Sequence, residues 1–398
     1  MISVAIVGTG NISAAHIKGY LAFGQRCKIT HLADIFPEKA EQKKEEFKID
    51  AKVCASHREL LNEDIDLVSI CTPPFCHAEI AIDFLNAGKN VIVEKPMAAS
   101  LEECDAMIDT AKKTGKMLSV IAQYRFRDQI FGLKKVLDSG LIGKIVHAQV
   151  DSFWWRGHSY YDLWWRGSWE KEGGGCTLNH AVHHIDMLCW MLGLPKKVTA
   201  VISNAAHDNA EVEDISIAVL QYDGAGDQNG SKQAMRAKGA LAQITSSVVH
   251  HGEEQQLIFQ GEKARVSWPW KAAAHISQPN GFPAGAQNTE LIKQLNDIYE
   301  NFPALTHTIH EGQIDNVLSA IETNGQPLIK GEDGKQTLEL IAAIYKSGTE
   351  RCPVDLPIKK DDPFYTVNGM REKVPRFYQK TKSVNDLDGN ISYGRYDK

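Results

Sequence analysis

Two short segments of this 398-residue chain carry side chains suited to proton transfer. Lys95 closely follows the apolar run Val91–Val93, where a buried parallel strand would end. Asn179, His183 and Asp186 have the spacing i, i+4, i+7, which would place an amide, an imidazole and a carboxylate along one helix face. A histidine titrates near neutral pH, and a neighbouring cation can lower the pKa of a lysine. These residue types therefore predict acid–base chemistry at a hydroxyl group.

The start of the chain gives these residues a context. Ser3–Val7 predicts a strand, and a turn containing Gly8 and Gly10 leads into a helical pattern that continues to about Phe23. Gly8 permits the tight turn, and Gly10 allows the backbone to approach a pyrophosphate. Ser13 occupies the place of a third small residue where helix and strand would touch. The pattern predicts dinucleotide binding.

Asp34 ends the second predicted strand, 24 residues after Gly10. A carboxylate at this place can accept hydrogen bonds from both ribose hydroxyls and would repel a 2′-phosphate. The sequence therefore favours NAD as the cofactor over NADP. The alternative is that Asp34 only caps the next helix.

Strand and helix patterns alternate as far as residue 123. Strands are predicted at 28–33, 52–55, 66–71, 90–93 and 117–121, and helices at 37–47, 56–61, 77–87 and 100–114. This alternation predicts right-handed parallel crossovers and a Rossmann-type doubly wound parallel sheet. Lys95 would then face the ligand crevice at the carboxyl ends of the strands. His77 opens a predicted helix, and we interpret it as a helix-start residue near the cofactor instead of a catalyst.

The pattern changes beyond residue 123. After a helix at 128–139, strands are predicted at 144–155, 197–204, 214–222, 239–249, 254–260 and 263–268, mostly joined by short turns. Irregular segments are predicted at 223–238 and 271–288, and helices at 289–298, 310–324 and 333–348. We predict an α/β chain with a Rossmann domain at 1–123 and an α+β domain at 124–398. The second domain would contain a large, mainly antiparallel open sheet and a polar tail from about 351.

An apolar stripe from Leu178 to Leu192 predicts one core-facing helix after the glycine run 173–175. His180 and His184 share a face of that helix, and Cys176 is near, but no third ligand has suitable spacing, so no metal site is predicted.

The segment 153–169 is rich in aromatic residues and arginine. Its members are Trp154, Trp155, Arg156, Tyr160, Tyr161, Trp164, Trp165, Arg166 and Trp169. Flat aromatic faces pack against the C–H faces of sugar rings, so the segment predicts either a sugar pocket or a subunit contact. A phosphate-bearing substrate is also possible, because four arginines could bind it: Arg125, Arg127, Arg156 and Arg166.

Composition limits the other possibilities. A net charge of −6 gives no indication of nucleic-acid binding, and no apolar run reaches the length of a membrane helix. The eight cysteines are scattered without a Cys-x-x-Cys motif, which favours reduced thiols and a cytoplasmic location.

Three segments resemble the Gfo/Idh/MocA oxidoreductases, the family of glucose–fructose oxidoreductases and inositol dehydrogenases. They read VAIVGTGNISAAH at 4–16, CTPPFCHAEIA at 71–81 and VIVEKPMA at 91–98. The segment after the glycine run resembles the second family signature, with Asn179 in place of its first Asp. Because Asn cannot take up a proton, we expect Asn179 to hydrogen-bond a substrate hydroxyl.

The resemblance implies roles for individual residues. The expected catalytic residues are Lys95, His183 and Asn179. The expected cofactor contacts are Gly8, Thr9, Gly10, Asn11, Ile12, Asp34, Thr72, Pro73, His77, Glu94, Lys95, Gln123 and Arg166. The expected substrate contacts are Arg125, Tyr161, Trp165, Arg166, Asn179 and His183.

The function implied is NAD-dependent hydride transfer from a secondary alcohol of a sugar, a sugar derivative or a cyclitol. His183 would be the general base or acid, and Lys95 would polarise the reacting oxygen. Two alternatives remain open: a glycosidase or lyase that retains NAD and uses it transiently, and a non-catalytic NAD-responsive regulator. The resemblance also implies a homodimer or homotetramer formed through the second sheet.

Overall fold

The computed structural model of the chain describes residues 1–223 and 236–385. The loop predicted at 223–238 and the end of the predicted polar tail therefore fall largely outside the described residues. The chain folds into two compact units. The first comprises Met1–Phe131 and Pro303–Leu338, and the second comprises Gly132–Phe302 and Glu339–Lys398.

Helices occur in both units. The α-helices are α1 (Ser13–Leu21), α2 (Pro37–Phe47), α3 (His77–Asn86), α4 (Leu101–Thr114), α5 (Asp128–Ser139), α6 (Cys176–Asn179), α7 (Val182–Leu192), α8 (Thr289–Glu300), α9 (Ile309–Glu322), α10 (Gly331–Glu350) and α11 (Val367–Lys373). Short 3-10 helices lie at His57–Leu60, Pro74–Cys76, Gln123–Phe126, His158–Asp162 and Pro363–Tyr365.

The first unit is built on a six-stranded parallel sheet. Its strands are β1 (Ile2–Val7), β2 (Cys27–Ala33), β3 (Lys52–Cys54), β4 (Leu67–Ile70), β5 (Asn90–Val93) and β6 (Leu118–Val120). Their order is β3-β2-β1-β4-β5-β6, the doubly wound arrangement that the sequence predicts. The apolar side chains of β4 and of Val91–Val93 are fully buried, as expected for strands covered on both faces.

A later part of the chain completes this core. Ile314, Val317 and Leu318 of α9 are fully buried in the same apolar cluster as β1 and α1. A Cβ at Gly19 of α1 would lie 2.4 Å from the Cδ1 atom of Ile314, so the glycine allows the two helices to approach closely. The sequence-based division assigned everything after residue 123 to the second domain, because an apolar helix stripe does not reveal which sheet it covers.

The second unit contains an eight-stranded mixed sheet with the order β13-β12-β11-β7-β10-β9-β8-β16. Its strands are β7 (Ile145–Phe153), β8 (Lys197–Ser203), β9 (Ile215–Gln221), β10 (Leu241–Ser247), β11 (Gln255–Gly261), β12 (Arg265–Trp268), β13 (Lys271–Ala273) and β16 (Val354–Asp355). The pairs are antiparallel except for β10 with β7, which is parallel. A large, mainly antiparallel sheet is therefore confirmed.

Two predictions for the second unit are wrong in detail. The segment 271–288 is not irregular: it contains β13 and a hairpin of β14 (His275–Ser277) with β15 (Pro283–Gln287), whose strands are too short to show a periodicity. The strand predicted at 144–155 ends at Phe153, and Trp155 forms only an isolated bridge with Val249. Among the described residues, no helix combines the length and the apolar character needed to cross a membrane.

Candidate cofactor and catalytic site

The glycine turn after β1 has the geometry of a phosphate cradle. Gly8 has a φ of +88°, and a Cβ there would lie 2.8 Å from backbone atoms of Cys71 and Thr72, so only glycine fits. A Cβ at Gly10 would meet no atom within 4 Å, so the turn borders open space at this residue. The hydroxyl of Ser13 donates to the Gly10 carbonyl at 2.7 Å and fixes the entry into α1. Asn11 and Ile12 complete the turn.

Asp34 stands immediately after β2, next to this turn. Its carboxylate accepts hydrogen bonds from the backbone N–H and the hydroxyl of Thr9 and from the backbone N–H of Phe36. The carboxylate is half-buried and held in one orientation. A negative charge is therefore fixed at the place where a Rossmann fold binds the ribose of its cofactor.

Two polar side-chain atoms lie buried beyond the carboxyl ends of β4 and β6, the strands on either side of β5. The Thr72 hydroxyl oxygen follows β4, and the Gln123 amide oxygen follows β6; neither has a hydrogen-bond partner among the described residues. Buried polar atoms are normally paired, so both fit a ligand that brings polar groups. Together with the open space at Gly10, they fit a dinucleotide cofactor.

Lys95 follows β5 directly and is half-buried. Its backbone N–H donates to the Glu94 carboxylate at 3.1 Å. The ring nitrogens of His77 lie 2.9 Å from the carbonyl oxygen of Pro96 and 2.7 Å from that of Thr72. His77 therefore ties the loop after β4 to the Lys95–Pro96 turn, and burial lowers its pKa. It is the first residue of α3.

Sequence reasoning missed a buried histidine beneath this turn. His16 of α1 is fully buried and lies 3.0 Å from the Glu94 carboxylate, and its other ring nitrogen lies 2.9 Å from the Ser69 hydroxyl. Burial alone would lower the pKa of His16, but the neighbouring Cys71 and Glu94 raise it to about 10. The only available signal was the position of His16 at the end of the 4–16 motif.

In the second unit, the residues of the predicted catalytic helix lie on two consecutive helices. Asn179 ends α6, and His183 lies in the first turn of α7. The backbone N–H groups of His180 and Ala181 both bond to the Cys176 carbonyl, which closes α6 and forms the break. The prediction of one continuous helix is therefore wrong, although its apolar stripe is buried as predicted. His183 is half-buried and Asp186 is buried.

The Asn179 side chain is held by the preceding turn. Its amide nitrogen donates to the carbonyl oxygens of Gly174 and Gly175, at 2.9 and 3.3 Å. The same turn is held from below by Glu213, which is fully buried and accepts the N–H groups of Gly175 and Thr177 at 2.9 and 3.0 Å. Burial raises the pKa of Glu213 to about 7. Nothing in the sequence pattern pointed to Glu213.

The glycine run itself is required by close packing. A Cβ at Gly175 would lie 1.8 Å from the Glu213 carbonyl oxygen, and one at Gly174 would lie 2.2 Å from the Tyr345 hydroxyl. That hydroxyl donates to the Glu213 carboxylate at 3.0 Å. The glycines therefore allow Glu213 and Tyr345 to reach the backbone that carries Asn179.

The arginine and aromatic side chains have separate partners. Arg166 lies 4.2 Å from the ring centre of Tyr160 and 4.1 Å from that of Trp165, and it pairs with the buried Glu172 at 2.9 Å. Tyr161 is buried, and its hydroxyl has no partner among the described residues.

Two further residues have partners within the protein: Trp169 of the aromatic segment and Arg125 of the predicted substrate contacts. Trp169 is fully buried, and its indole N–H donates to the Pro375 carbonyl. In the first unit, Arg125 is buried and pairs with Asp333 at 2.9 Å. These contacts show side chains held in fixed positions, which is compatible with packing as well as with recognition.

A parallel sheet with a glycine turn after β1 and an acid after β2 is typical of Rossmann folds that bind a dinucleotide. The chain belongs to the Gfo/Idh/MocA family. A profile described as an oxidoreductase family with an NAD-binding Rossmann fold matches residues 2–122. A profile described as the GFO/IDH/MocA C-terminal domain matches residues 132–267.

Individual relatives show the range of the family. The inositol 2-dehydrogenase of Rhizobium meliloti is 24% identical over 88% of this chain and 98% of its own length. The 2,7-anhydro-N-acetylneuraminate hydratase of Mediterraneibacter gnavus is 27% identical over 67% of this chain and 66% of its own. The crystal structure of the WlbA dehydrogenase from Bordetella pertussis, in complex with NADH and UDP-GlcNAcA, is 27% identical. It superimposes with a TM-score of 0.74 over 90% of this chain and 98% of that one.

Proposed function

We propose that this protein is an NAD-dependent dehydrogenase that oxidises a secondary alcohol of a sugar, a sugar derivative or a cyclitol. The observation that carries the proposal is Lys95 at the carboxyl end of β5, on the same sheet as the glycine turn and Asp34. The similarity to an inositol dehydrogenase and to a dehydrogenase of a nucleotide sugar supports the substrate class.

Oxidation of a secondary alcohol breaks its O–H and C–H bonds and leaves a carbonyl. Bound NAD⁺ supplies the hydride acceptor. We propose that His183 takes the hydroxyl proton, because an imidazole is the side chain best suited to act as a base at neutral pH. Lys95 would donate a hydrogen bond to the reacting oxygen and stabilise the negative charge that develops on it. In the reducing direction His183 would return the proton.

Asn179 would orient the substrate without exchanging a proton. Its amide nitrogen is already engaged by the carbonyl oxygens of Gly174 and Gly175, so its side-chain oxygen is the atom left to accept a hydrogen bond from a substrate hydroxyl. Glu213 and Tyr345 would maintain this orientation from below the glycine run.

Asp34 favours NAD over NADP. Its carboxylate is fixed by Thr9 and Phe36, so a 2′-phosphate would meet a negative charge that cannot easily turn away. The contacts that we propose for the rest of the cofactor are the turn from Gly8 to Ile12 and the buried polar atoms of Thr72 and Gln123.

The test is a panel of sugars, glycosides, nucleotide sugars and inositols with NAD⁺ or NADP⁺, followed by NADH or NADPH absorbance. NAD⁺-dependent turnover of one hydroxyl compound, at least tenfold above that with NADP⁺, would support the proposal. The absence of reduced cofactor with every compound, despite measurable NAD⁺ binding, would contradict it.

A second candidate is a hydratase or lyase that retains NAD and oxidises its substrate only transiently. The similarity to the 2,7-anhydro-N-acetylneuraminate hydratase favours it. Such an enzyme would convert its substrate without net formation of NADH, so product analysis by NMR beside the absorbance assay separates the two activities.

We further propose that the protein forms a homodimer or homotetramer in the cytoplasm. The open face of the second sheet carries exposed apolar side chains, namely Val201, Ile217, Val219 and Leu241. Val201 and Ile217 are paired directly across β8 and β9. A contiguous exposed apolar patch of this kind is typical of a subunit interface.

A further inference from the structure

Glu94 is the centre of a buried polar cluster in the first unit. One carboxylate oxygen lies 3.0 Å from the Nε2 atom of His16, and the other accepts the backbone N–H of Lys95 at 3.1 Å. Hydrogen bonding from His16, with His310 and Lys95 nearby, holds the pKa of Glu94 well below its usual range despite complete burial. The carboxylate and the imidazolium of His16 therefore form a charged pair directly beneath the Lys95 turn.

His310 approaches the same carboxylate from α9. Its Nε2 atom lies 3.6 Å from the Glu94 oxygen that His16 contacts, slightly beyond hydrogen-bond distance. This nitrogen is buried and has no hydrogen-bond partner among the described residues. Burial outweighs Glu94 and lowers the pKa of His310, so its ring is neutral near pH 7. A neutral ring can carry its proton on Nε2 and, after a small movement, donate a hydrogen bond to Glu94.

The backbone on both sides of His310 is strained or tightly packed. Ile309 has a φ of +54°, a left-handed conformation that a β-branched residue rarely adopts. A Cβ at Gly312 would lie 2.4 Å from the His307 carbonyl oxygen. Strain of this kind persists only where the surrounding structure enforces it, and it is concentrated at functional sites. The backbone at Ile309 and Gly312 therefore holds His310 in place.

We propose that His310 is a positioning residue for Lys95 that acts through the Glu94 carboxylate. His16 and His310 both lie beside one carboxylate oxygen and limit its movement, so that the other oxygen, which receives the Lys95 N–H, stays in place. This inference deepens the proposed function, since it rests on Lys95 acting at the substrate oxygen. Neither the spacing nor the family motifs of the sequence place His310 near Lys95, because 215 residues separate the two.

The same three side chains offer donor atoms that all lie within 4.8 Å of one another, as a metal site would require. We favour the hydrogen-bonded interpretation because both ring nitrogens of His16 already have partners, Ser69 and Glu94. A metal ion bound to His16 would have to displace the hydrogen bond between His16 and Glu94. Metal analysis of the purified protein is therefore one arm of the test.

The central variants are His310→Phe, which keeps a ring but removes the nitrogen, and His310→Gln, which restores an amide nitrogen near the position of Nε2. We expect His310→Phe to lower kcat by 10- to 100-fold while the Kd for NAD⁺ stays within threefold. Residues that orient a catalytic group from behind have effects of this size. His310→Gln should recover kcat to within fivefold of the wild type.

The matched control is His307→Gln. His307 lies on the same segment but pairs with Glu311 and packs against Phe23, without contacting Glu94. It should keep wild-type kcat. If His310→Phe does not fold, His310→Gln is compared with His310→Asn, whose amide falls short of Glu94, and the proposal requires kcat to be at least tenfold higher for Gln. Equal values would overturn it, as would wild-type kcat in His310→Phe.

One readout does not depend on turnover and so separates this inference from the proposed function. Reductive methylation followed by peptide mass spectrometry gives the reactivity of Lys95 relative to the exposed Lys48. We expect the relative reactivity of Lys95 to rise at least threefold in His310→Phe and to return to the wild-type value in His310→Gln. This holds even if no tested sugar is a substrate. Unchanged Lys95 reactivity would overturn the inference. One equivalent of bound zinc that is lost in His310→Phe would also overturn it, in favour of a metal site.

Discussion

The backbone N–H and the hydroxyl of Thr9 donate to the same carboxylate oxygen of Asp34, at 2.7 and 2.8 Å. The other oxygen of Asp34 accepts the N–H of Phe36 at 3.0 Å. The carboxylate therefore links the glycine turn after β1 to the loop after β2. Its charge is oriented before any cofactor binds, which reduces the cost of ordering it on binding.

Replacing Asp34 should change the choice of cofactor. Asp34→Ser removes the charge and leaves space for a 2′-phosphate. We expect the Kd for NAD⁺ to rise about tenfold or more, since a hydrogen bond to a charged group contributes about 1.5–3 kcal/mol. The preference for NAD⁺ over NADP⁺ should fall. Fluorescence titration with both cofactors measures this. Asp50→Ser, which removes an exposed carboxylate, is the control. An unchanged ratio of the two affinities would refute the role of Asp34.

Two glycines of the same turn should respond differently to alanine. Gly8→Ala places a Cβ 2.8 Å from the backbone of Cys71 and Thr72 at a φ of +88°, so it should lower the free energy of unfolding by about 2 kcal/mol or more. Gly10→Ala meets no protein atom within 4 Å, so stability should change by less than about 0.5 kcal/mol. Its methyl group would, however, obstruct the pyrophosphate.

Thermal unfolding and NAD⁺ titration of these two variants provide the comparison. Gly10→Ala should unfold like the wild type and bind NAD⁺ at least tenfold more weakly. Normal NAD⁺ affinity in Gly10→Ala would show that the cofactor does not approach this turn.

Lys95→Ala and His183→Ala should each lower turnover by two orders of magnitude or more while NAD⁺ still binds. The physical reason is that each variant removes a group that we propose to interact with the reacting oxygen or its proton in the transition state, and not with the cofactor phosphates. Stopped-flow or steady-state formation of NADH measures the loss, and the NAD⁺ affinity is the internal control. If both variants kept normal turnover, the catalytic assignment would fail.

Much of this fold could be predicted from local periodicity in the sequence. The helices at 37–47 and 128–139 and the strand at 90–93 have the bounds predicted from the sequence, because apolar spacing and terminal Pro or Gly residues mark them. The glycine turn and Asp34 were found for the same reason. Each lies within one strand–turn–helix unit whose geometry is local.

The features that could not be predicted depend on distant contacts. His310 reaches Glu94 only because α9 returns to the first unit. Glu213 reaches Gly175 only because the segment before β9 packs against the glycine run. The break between α6 and α7 also has no signal in the sequence, since Leu178, Ala181 and Val182 continue one apolar stripe across it. Contacts between residues so far apart in the sequence have no periodicity and no fixed spacing.

Glu213 should make stability depend on pH. Burial raises its pKa to about 7, so its contribution to stability is complete below the pKa of about 4.5 of the unfolded chain and is lost as pH rises through 7. Glu213→Gln cannot ionise, so it should lose less stability than the wild type between pH 5 and 8. The difference should be about 3 kcal/mol at most, from about 1.4 kcal/mol per pKa unit.

Urea unfolding at several pH values measures this difference. Tyr345→Phe is a useful companion, because it removes one hydrogen bond to Glu213 and leaves the carboxyl group able to ionise. It should retain the pH dependence. Parallel pH profiles for wild type and Glu213→Gln would show that Glu213 does not titrate in this range.

The open face of the second sheet should hold subunits together. Val201 and Ile217 are 70% and 52% exposed and lie opposite each other on β8 and β9. A lysine at either position would bury an unpaired charge in an apolar interface, which costs several kcal/mol. We therefore expect Ile217→Lys to shift the protein to the monomer mass in light scattering at micromolar concentration. Leu328→Lys, which changes an exposed leucine of the first unit outside this sheet, should leave the mass unchanged. An oligomer that persists in Ile217→Lys would place the interface elsewhere.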